Sequence, residues 1–449
     1  MSHGTRRPVV CGIDVGSTNT KLVALVDSGQ VVSRVACPTP RTAPGADIDA
    51  DDLVDALEGL VEQLCGAELQ VVAVCAAGVG EDGVLLDAEL RPLTTALPWF
   101  DPRRQDLFRS LRPHLLDDDR FDAQTGPVLA LVGWAWSRAR TAPADAHRWS
   151  SLTDLASVRW TGRPFLSETL ASRTGAWSSA DRAWADDRVA LALGSSGLLP
   201  EVLPTGGVVG PLASRRLREA GVVAADAVVV VGGHDHPVGG WGVHEAAPGT
   251  VLDSMGTAEV VVATTPLVVA TRREHVDLAP GILSTGTTLL RVDELARNVE
   301  WATRDADVRR HVRDVLQGTE AVVAEPGTAW FVPGGRGGGQ PSWADDAPRD
   351  PALRASAVLV ALAEAGRRSV EAVRRAGALE ATGAVSLAGG WTRSPGWLGL
   401  KEATHAGPVA VVGEPEVTAV GAAMLAARAL GWRVDPARAL AGGGVVSSR

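Results

Sequence analysis

The sequence predicts an α/β protein of two domains built on a repeated plan, and three observations carry that prediction. At 449 residues the chain exceeds what one hydrophobic core usually spans. Valine-rich runs of strand length alternate with longer amphipathic stretches; the most complete run, residues 228–231, has four β-branched side chains in a row and needs cover on both faces. A strand, a turn of small polar residues and a second strand occur together once in each half.

Taken in order, residues 9–36 read as three strands, 9–15, 21–26 and 31–36, the last two joined by the turn Asp27-Ser28-Gly29. Between the first two lies Asp14-Val15-Gly16-Ser17-Thr18-Asn19-Thr20-Lys21. A tight loop of glycine and hydroxyl residues can turn backbone N–H groups and side chains toward one anion, so Gly16, Ser17, Thr18, Asn19 and Lys21 are phosphate-binding candidates, although the spacing is not that of a Walker A loop. An amphipathic helix follows over 50–64 with Asp49 as its N-cap. The strand at 70–76 runs into Ala77-Gly78-Val79-Gly80-Glu81-Asp82-Gly83, the kind of strand end where open α/β sheets hold ligands, and Glu81 there is a candidate acceptor for substrate hydroxyls. In Leu97-Pro98-Trp99-Phe100-Asp101-Pro102-Arg103, Trp99 offers an apolar plate for a sugar face, with Asp101 and Arg103 as polar ends. Residues 104–225 read as mostly helical and loop-like, and their tryptophans are assigned to packing.

The strand at 227–231 ends in Gly232-Gly233-His234-Asp235-His236. The glycines allow a close approach of backbone or ligand, and an acid at that point can serve as a general base. Strands at 249–254 and 259–264 then enclose Met255-Gly256-Thr257-Ala258, a shorter copy of the first hairpin, which implies a duplicated architecture clamping phosphates from both sides. The glycine-rich 333–341 stretch reads as a passive surface loop in preference to a flap over a cleft. A long helix is expected over 351–376 and a strand over 384–387. Gly389-Gly390-Trp391-Thr392-Arg393-Ser394-Pro395 then leads into another helix, a setting that lets a nucleotide come close. The final helix, 416–430, contains the small residues Gly421-Ala422-Ala423 and can pack tightly against a neighbour.

A formal net charge of −10 and the lack of a basic patch argue against nucleic acid or an anionic membrane as partner. Cys11, Cys37, Cys65 and Cys75 stand in apolar surroundings without metal-ligand spacing, so they read as core residues of a reducing compartment. The apolar run at 9–13 is interrupted at once by Asp14, too early for a signal peptide or a membrane span, and a cytoplasmic protein is expected.

With these stretches in place, the chain resembles the FGGY family of carbohydrate kinases over nearly its whole length. The likeness rests on the 14–21 loop, on Trp99 to Arg103, on Gly232 to Gly240, on Gly256-Thr257, and on Gly389 to Pro395 with the Gly421-Ala422-Ala423 helix; Ala171-Ser172-Arg173-Thr174-Gly175 with Trp184 adds to it. The resemblance implies two actin-like domains of the ribonuclease H type, expected at 1–243 and 244–449, with sugar and ATP meeting in the cleft between them. It implies Asp235 as the base that takes a proton from a sugar hydroxyl and Asp14, with Asp235, as ligand to Mg2+. It places Ser17, Thr18, Asn19, Gly256 and Thr257 along the phosphate path and Gly389, Gly390 and Ser394 beside adenosine. Glu81, Trp99, Asp101, Arg103 and one or other of His234 and His236 would meet a sugar or polyol. A homodimer is an open option. The chain departs from the family pattern at Trp391, where glycine is usual, at Ala403, where an acid is frequent, and in the 334–341 segment, and 79–82 matches neither glycerol nor xylulose kinases well. A nucleotide- or sugar-binding regulator without turnover is the alternative reading.

Overall fold

The computed structural model describes residues 6–43, 46–323, 329–335 and 339–442. The first sheet contains β1 (Arg7–Val15), β2 (Asn19–Leu25), β3 (Val31–Pro38), β4 (Leu69–Gly78), β5 (Val208–Pro211) and β6 (Val223–His234), in the spatial order β5-β6-β4-β1-β2-β3. β1, β2 and β3 are antiparallel neighbours, whereas β4 runs parallel to β1 and β6 parallel to β4. The second sheet repeats the plan with β7 (Val251–Met255), β8 (Ala258–Thr265), β9 (Asp277–Pro280), β10 (Thr287–Glu294), β11 (Val385–Ala388) and β12 (Val409–Val411), ordered β9-β10-β8-β7-β11-β12. Here β7, β8 and β10 are antiparallel and β11 and β12 continue parallel to β7. Two mixed sheets of matching topology make the two-domain actin-like fold that the resemblance implied.

Six helices position the rest: α1 (Ala50–Cys65), α2 (Leu152–Thr161), α3 (Asp235–Ala246), α4 (Pro351–Gly377), α5 (Pro395–Thr404) and α6 (Val417–Ala429). The Asp49 carboxylate accepts from the N–H groups of Asp51 and Asp52 and so caps α1 as expected. Alternation along β1 sends Val9, Cys11, Ile13 and Val15 into the core beneath α1 and α2, and Val10 into the opposite one. That opposite core lies between the two sheets. There Val10, Val23 and Val230 of the first sheet and Leu252, Val260 and Val262 of the second meet Val238 and Trp241 of α3 and Ala419 and Ala423 of α6. Position 12 must be glycine for this packing, because a Cβ would fall 1.9 Å from the Ala419 carbonyl oxygen. α4 and Trp397 of α5 cover the outer face of the second sheet.

Residues 104–225 differ from expectation. Gly83–Leu86 pairs with Arg148–Ser151, Phe165–Ser167 with Glu201–Leu203, and Trp177–Ser178 with Ala183–Trp184. Strands of two to four residues are too short to show a period in sequence. Trp134, Trp160 and Trp177 are buried packing residues as expected, while Trp136 also carries the guanidinium groups of Arg103 and Arg140 over its ring. Of the glycine-rich 333–341 stretch, residues 336–338 lie outside the described residues; Gly334 is tied down by two hydrogen bonds with Asn298. Among the described residues no helix is long and apolar enough to cross a membrane, and all four cysteines are free.

Candidate functional site

Strand register builds the site. Asp14 pairs with Ala77 and Ala77 with Gly233; in the next row Val15 pairs with Gly78 and Gly78 with His234. The carboxyl ends of β1, β4 and β6 therefore finish in one line, which brings Asp14, the 78–81 loop and Asp235 side by side. The crowding explains the glycines. A Cβ at Gly78 would meet the Val15 carbonyl oxygen at 2.4 Å, one at Gly232 the Ala76 oxygen at 1.8 Å, and one at Gly80 would strike Arg173 at 2.5 Å.

Asp235 opens α3. Its Oδ1 accepts from the His236 N–H at 2.7 Å, and Nε2 of His234 stands 3.2 Å away. His234 is 7% exposed and His236 29%, with Asp235 between them at 20%, so His236 is the histidine open to the cleft. Burial, and next the charge of Glu81, push the Asp235 carboxyl up to about 7. Burial, and next the charge of Asp235, push Asp14 to about 8 against the pull of Lys21. Desolvation in the cleft pushes His236 down to about 4, so its ring is neutral near pH 7 and can both donate and accept a hydrogen bond.

Glu81 is held, not free. Its Oε1 accepts from Arg173 Nε at 2.9 Å and its Oε2 from the Gly80 N–H, while Arg173 Nη1 reaches Asp277 Oδ2 at 3.0 Å. Asp101 and Arg103 are spent largely on each other, at 2.9 and 2.7 Å, with Arg103 also on Asp47 and on the ring of Trp136. Trp99 lies edge-on to Phe100, and its backbone N–H faces the Asp82 carboxylate. Arg104, which the sequence reading passed over, locks this segment to the 81–82 loop: fully buried, it donates to the carbonyls of Glu81 and Leu97 and to Asp82 Oδ1.

The two glycine turns share one device. In the first, the Gly16 carbonyl accepts from Thr39 Oγ1 at 2.6 Å, Ser17 from Arg41 Nη2 at 2.5 Å and Thr18 from the Thr39 N–H at 2.9 Å. In the second, the Gly256 carbonyl accepts from Trp391 Nε1 at 3.0 Å and Thr257 from the Ala296 N–H at 3.0 Å. With these carbonyls engaged, the turns would meet an anion through N–H groups, apart from the Gly256 N–H, which donates to the Ala258 carbonyl at 2.9 Å. The second strand of the first hairpin begins at Asn19, so Asn19 and Lys21 lie on β2 and only 16–18 form the turn. Lys21 pairs with Glu416 at 2.6 Å and lies within the field of Arg393, so the first turn and the 389–394 loop face each other across the cleft. Gly389 has φ +92° and its Cβ would meet the Met255 oxygen at 2.2 Å; Gly390 beside it has open space. Ser394 borders a cavity of about 340 Å³ with Thr303, Val312 and Leu316.

Thr39, Arg41, Arg104, Asp277 and Glu416 were not found from sequence, because each acts through a partner distant in the chain; Arg173 was noticed only as part of the resemblance.

The first half of the chain, residues 9–242, matches the model of the FGGY family of carbohydrate kinases, N-terminal domain. Xylulose kinase of Streptomyces coelicolor is 30% identical over 217 residues, 45% of this chain and 44% of that protein. Xylulose kinase of Streptomyces rubiginosus is 30% identical over 266 residues, 58% of this chain and 54% of that protein. The alignments thus span about half the length of these curated relatives. Among solved structures, xylulose kinase from Rhodospirillum rubrum superposes with a TM-score of 0.79 at 21% identity, over 96% of this chain and 95% of that one, a likeness of fold. By its match over more than half its length, the chain belongs to the FGGY family of carbohydrate kinases.

Proposed function

We propose that this protein transfers the γ-phosphate of ATP to a hydroxyl of a sugar, ketose or polyol, with Asp235 as general base. The supporting observation is the carboxylate pair Asp14 and Asp235 at the ends of β1 and β6, on either side of β4, opposite a second hairpin whose turn carbonyls are already engaged. Phosphoryl transfer asks mainly for positioning and charge neutralisation, which one base, one cation and a set of donors can supply. A carboxylate titrating at about 7 suits a base working near neutral pH. Asp235 takes the hydroxyl proton, His236 and Glu81 orient the acceptor, and Trp99, Asp101 and Arg103 frame its far end. Gly16, Ser17, Thr18, Asn19 and Lys21 face the phosphates from residues 1–243; Gly256, Thr257, Gly389, Gly390 and Ser394 hold the nucleotide from residues 244–449. The helix α3, which begins at Asp235, runs unbroken across the join of these two spans.

The residues present fit Mg2+. Two carboxylates that repel each other gain from a shared cation, and Mg2+ is commonly held by one or two carboxylates together with phosphate and water. Asp14 and Asp235 would hold it, and when bound it neutralises charge on the transferred phosphoryl group. A cytoplasmic setting agrees with four free cysteines.

The test is ADP release across pentuloses, hexuloses, polyols and sugar acids, with the native protein and Asp235→Ala. Release stimulated by one acceptor class and lost in the variant is expected. Nucleotide binding without stimulated release would instead identify a regulator.

A further inference from the structure

The nucleotide side of the cleft contains a network that this reading leaves unused. Trp391 Nε1 donates to the Gly256 carbonyl, and the Trp391 ring stands 5.3 Å from that of Trp397. Trp397 Nε1 in turn donates to Met255 Sδ at 3.0 Å. One helical turn further along α5, Lys401 Nζ lies 5.4 Å from the Trp397 ring, donates to Asp253 Oδ2 at 2.9 Å and also binds Glu259. Asp253 stands on β7 and Glu259 on β8, so one face of 391–401 grips both arms of the hairpin and its turn. The lysine and both acids are buried, and Gly366 of α4 makes room for them, since a Cβ there would lie 1.9 Å from Glu259 Oε1. Removing one member of such a cluster strands a buried charge, which keeps the spacing of the two arms well defined.

Rotation of the Gly256–Thr257 peptide plane, which turns ψ of Gly256 and φ of Thr257, would swap a donor for an acceptor at this turn. In a trans peptide the C=O and the following N–H point in opposite directions, so a carbonyl held by the indole keeps the Thr257 N–H aimed the other way. Position 391 lies directly after Gly389 and Gly390, which makes the tryptophan a link between the two nucleotide-side loops.

We propose that Trp391 is a positioning residue for the phosphoryl donor, holding the Gly256 carbonyl away from the polyphosphate so that the second turn meets it with donors only. This rests on the kinase reading. The test pairs calorimetric binding of MgADP with steady-state kinetics on Trp391→Phe, which keeps the ring against Trp397 and removes the N–H. We expect the ADP Kd and the ATP KM to rise by about three- to tenfold, the loss of one hydrogen bond, with the acceptor KM and the Tm unchanged. If the unsubstituted chain binds no ADP, the kinase reading falls and this inference with it. If it does bind ADP while Trp391→Phe binds equally well, or the acceptor KM rises as much as that of ATP, the inference alone is overturned.

Discussion

Replacing Asp235 by Asn gives opposite effects on activity and stability. The amide keeps an oxygen for the His236 N–H, which Asp235 Oδ1 accepts at 2.7 Å, so the start of α3 is preserved. What is lost is the base, and general-base catalysis contributes about 10²–10⁴ in rate, so kcat should fall by that factor. What is gained is relief from a buried negative charge. Burial and Glu81 raise the Asp235 carboxyl from 3.8 to about 7, and its charge also raises Asp14. At pH 8, full conversion of that shift bounds the gain at about 4 kcal/mol, since one unit corresponds to about 1.36 kcal/mol. Thermal unfolding at pH 8 in the absence of divalent cation should therefore show a Tm higher by a few degrees, alongside an ADP-release assay showing the rate loss. A kcat within tenfold of the native value would remove Asp235 from the role of base. A lower Tm would contradict the electrostatic account of the cleft.

Three other outcomes follow from the same geometry. Arg173→Met strands Glu81 and Asp277 as buried carboxylates and should destabilise the fold by about 3–5 kcal/mol, seen as a lower denaturant midpoint; a loss under about 1 kcal/mol would show that the ion pairs are dispensable. Asp14 at about 8, with Asp235, Asp82, Asp122 and Asp154 at about 7, all hold protons in the folded state that the unfolded chain releases near pH 4. Their stabilisation is complete below about pH 4 and is lost as pH rises through 7 to 8, so Tm should fall between pH 5.5 and 8.5, and Mg2+ should recover part of the loss at the upper end; a Tm that rises across this window would refute the assignment. Gly389→Ala places a Cβ 2.2 Å from the Met255 oxygen at a φ of +92°, and should raise the ATP KM at least about tenfold while leaving the acceptor KM near its native value, with equal changes in both counting against a nucleotide role.

The parts of this architecture that were legible in sequence are those with local grammar. The valine run of β6, the two small-residue turns and the Asp49 cap all stand where residue order implied. The 104–225 region was not legible, because strands as short as Trp177–Ser178 show no period and exist only through their partners. In the cleft, residue order located Asp14, Asp235 and the glycines but not what holds them. Arg173 meets Glu81 from 92 positions away and Arg34 meets Glu414 from 380, separations over which sequence pattern carries no signal. Asp101 and Arg103 illustrate the reverse case: their types suited a sugar, yet adjacency lets them neutralise each other first.

The packing of α6 bears on how the chain is made. The even-numbered face of β1 is closed by a helix translated just over four hundred residues later, with Ala419 and Ala423 seated over Gly12. During synthesis the first sheet must therefore wait, with Val10 and Val23 uncovered, until residues 417–429 have left the ribosome. A nascent chain in that state exposes a sticky apolar surface, so a helper that shields hydrophobic strands matters most for this protein before α6 arrives.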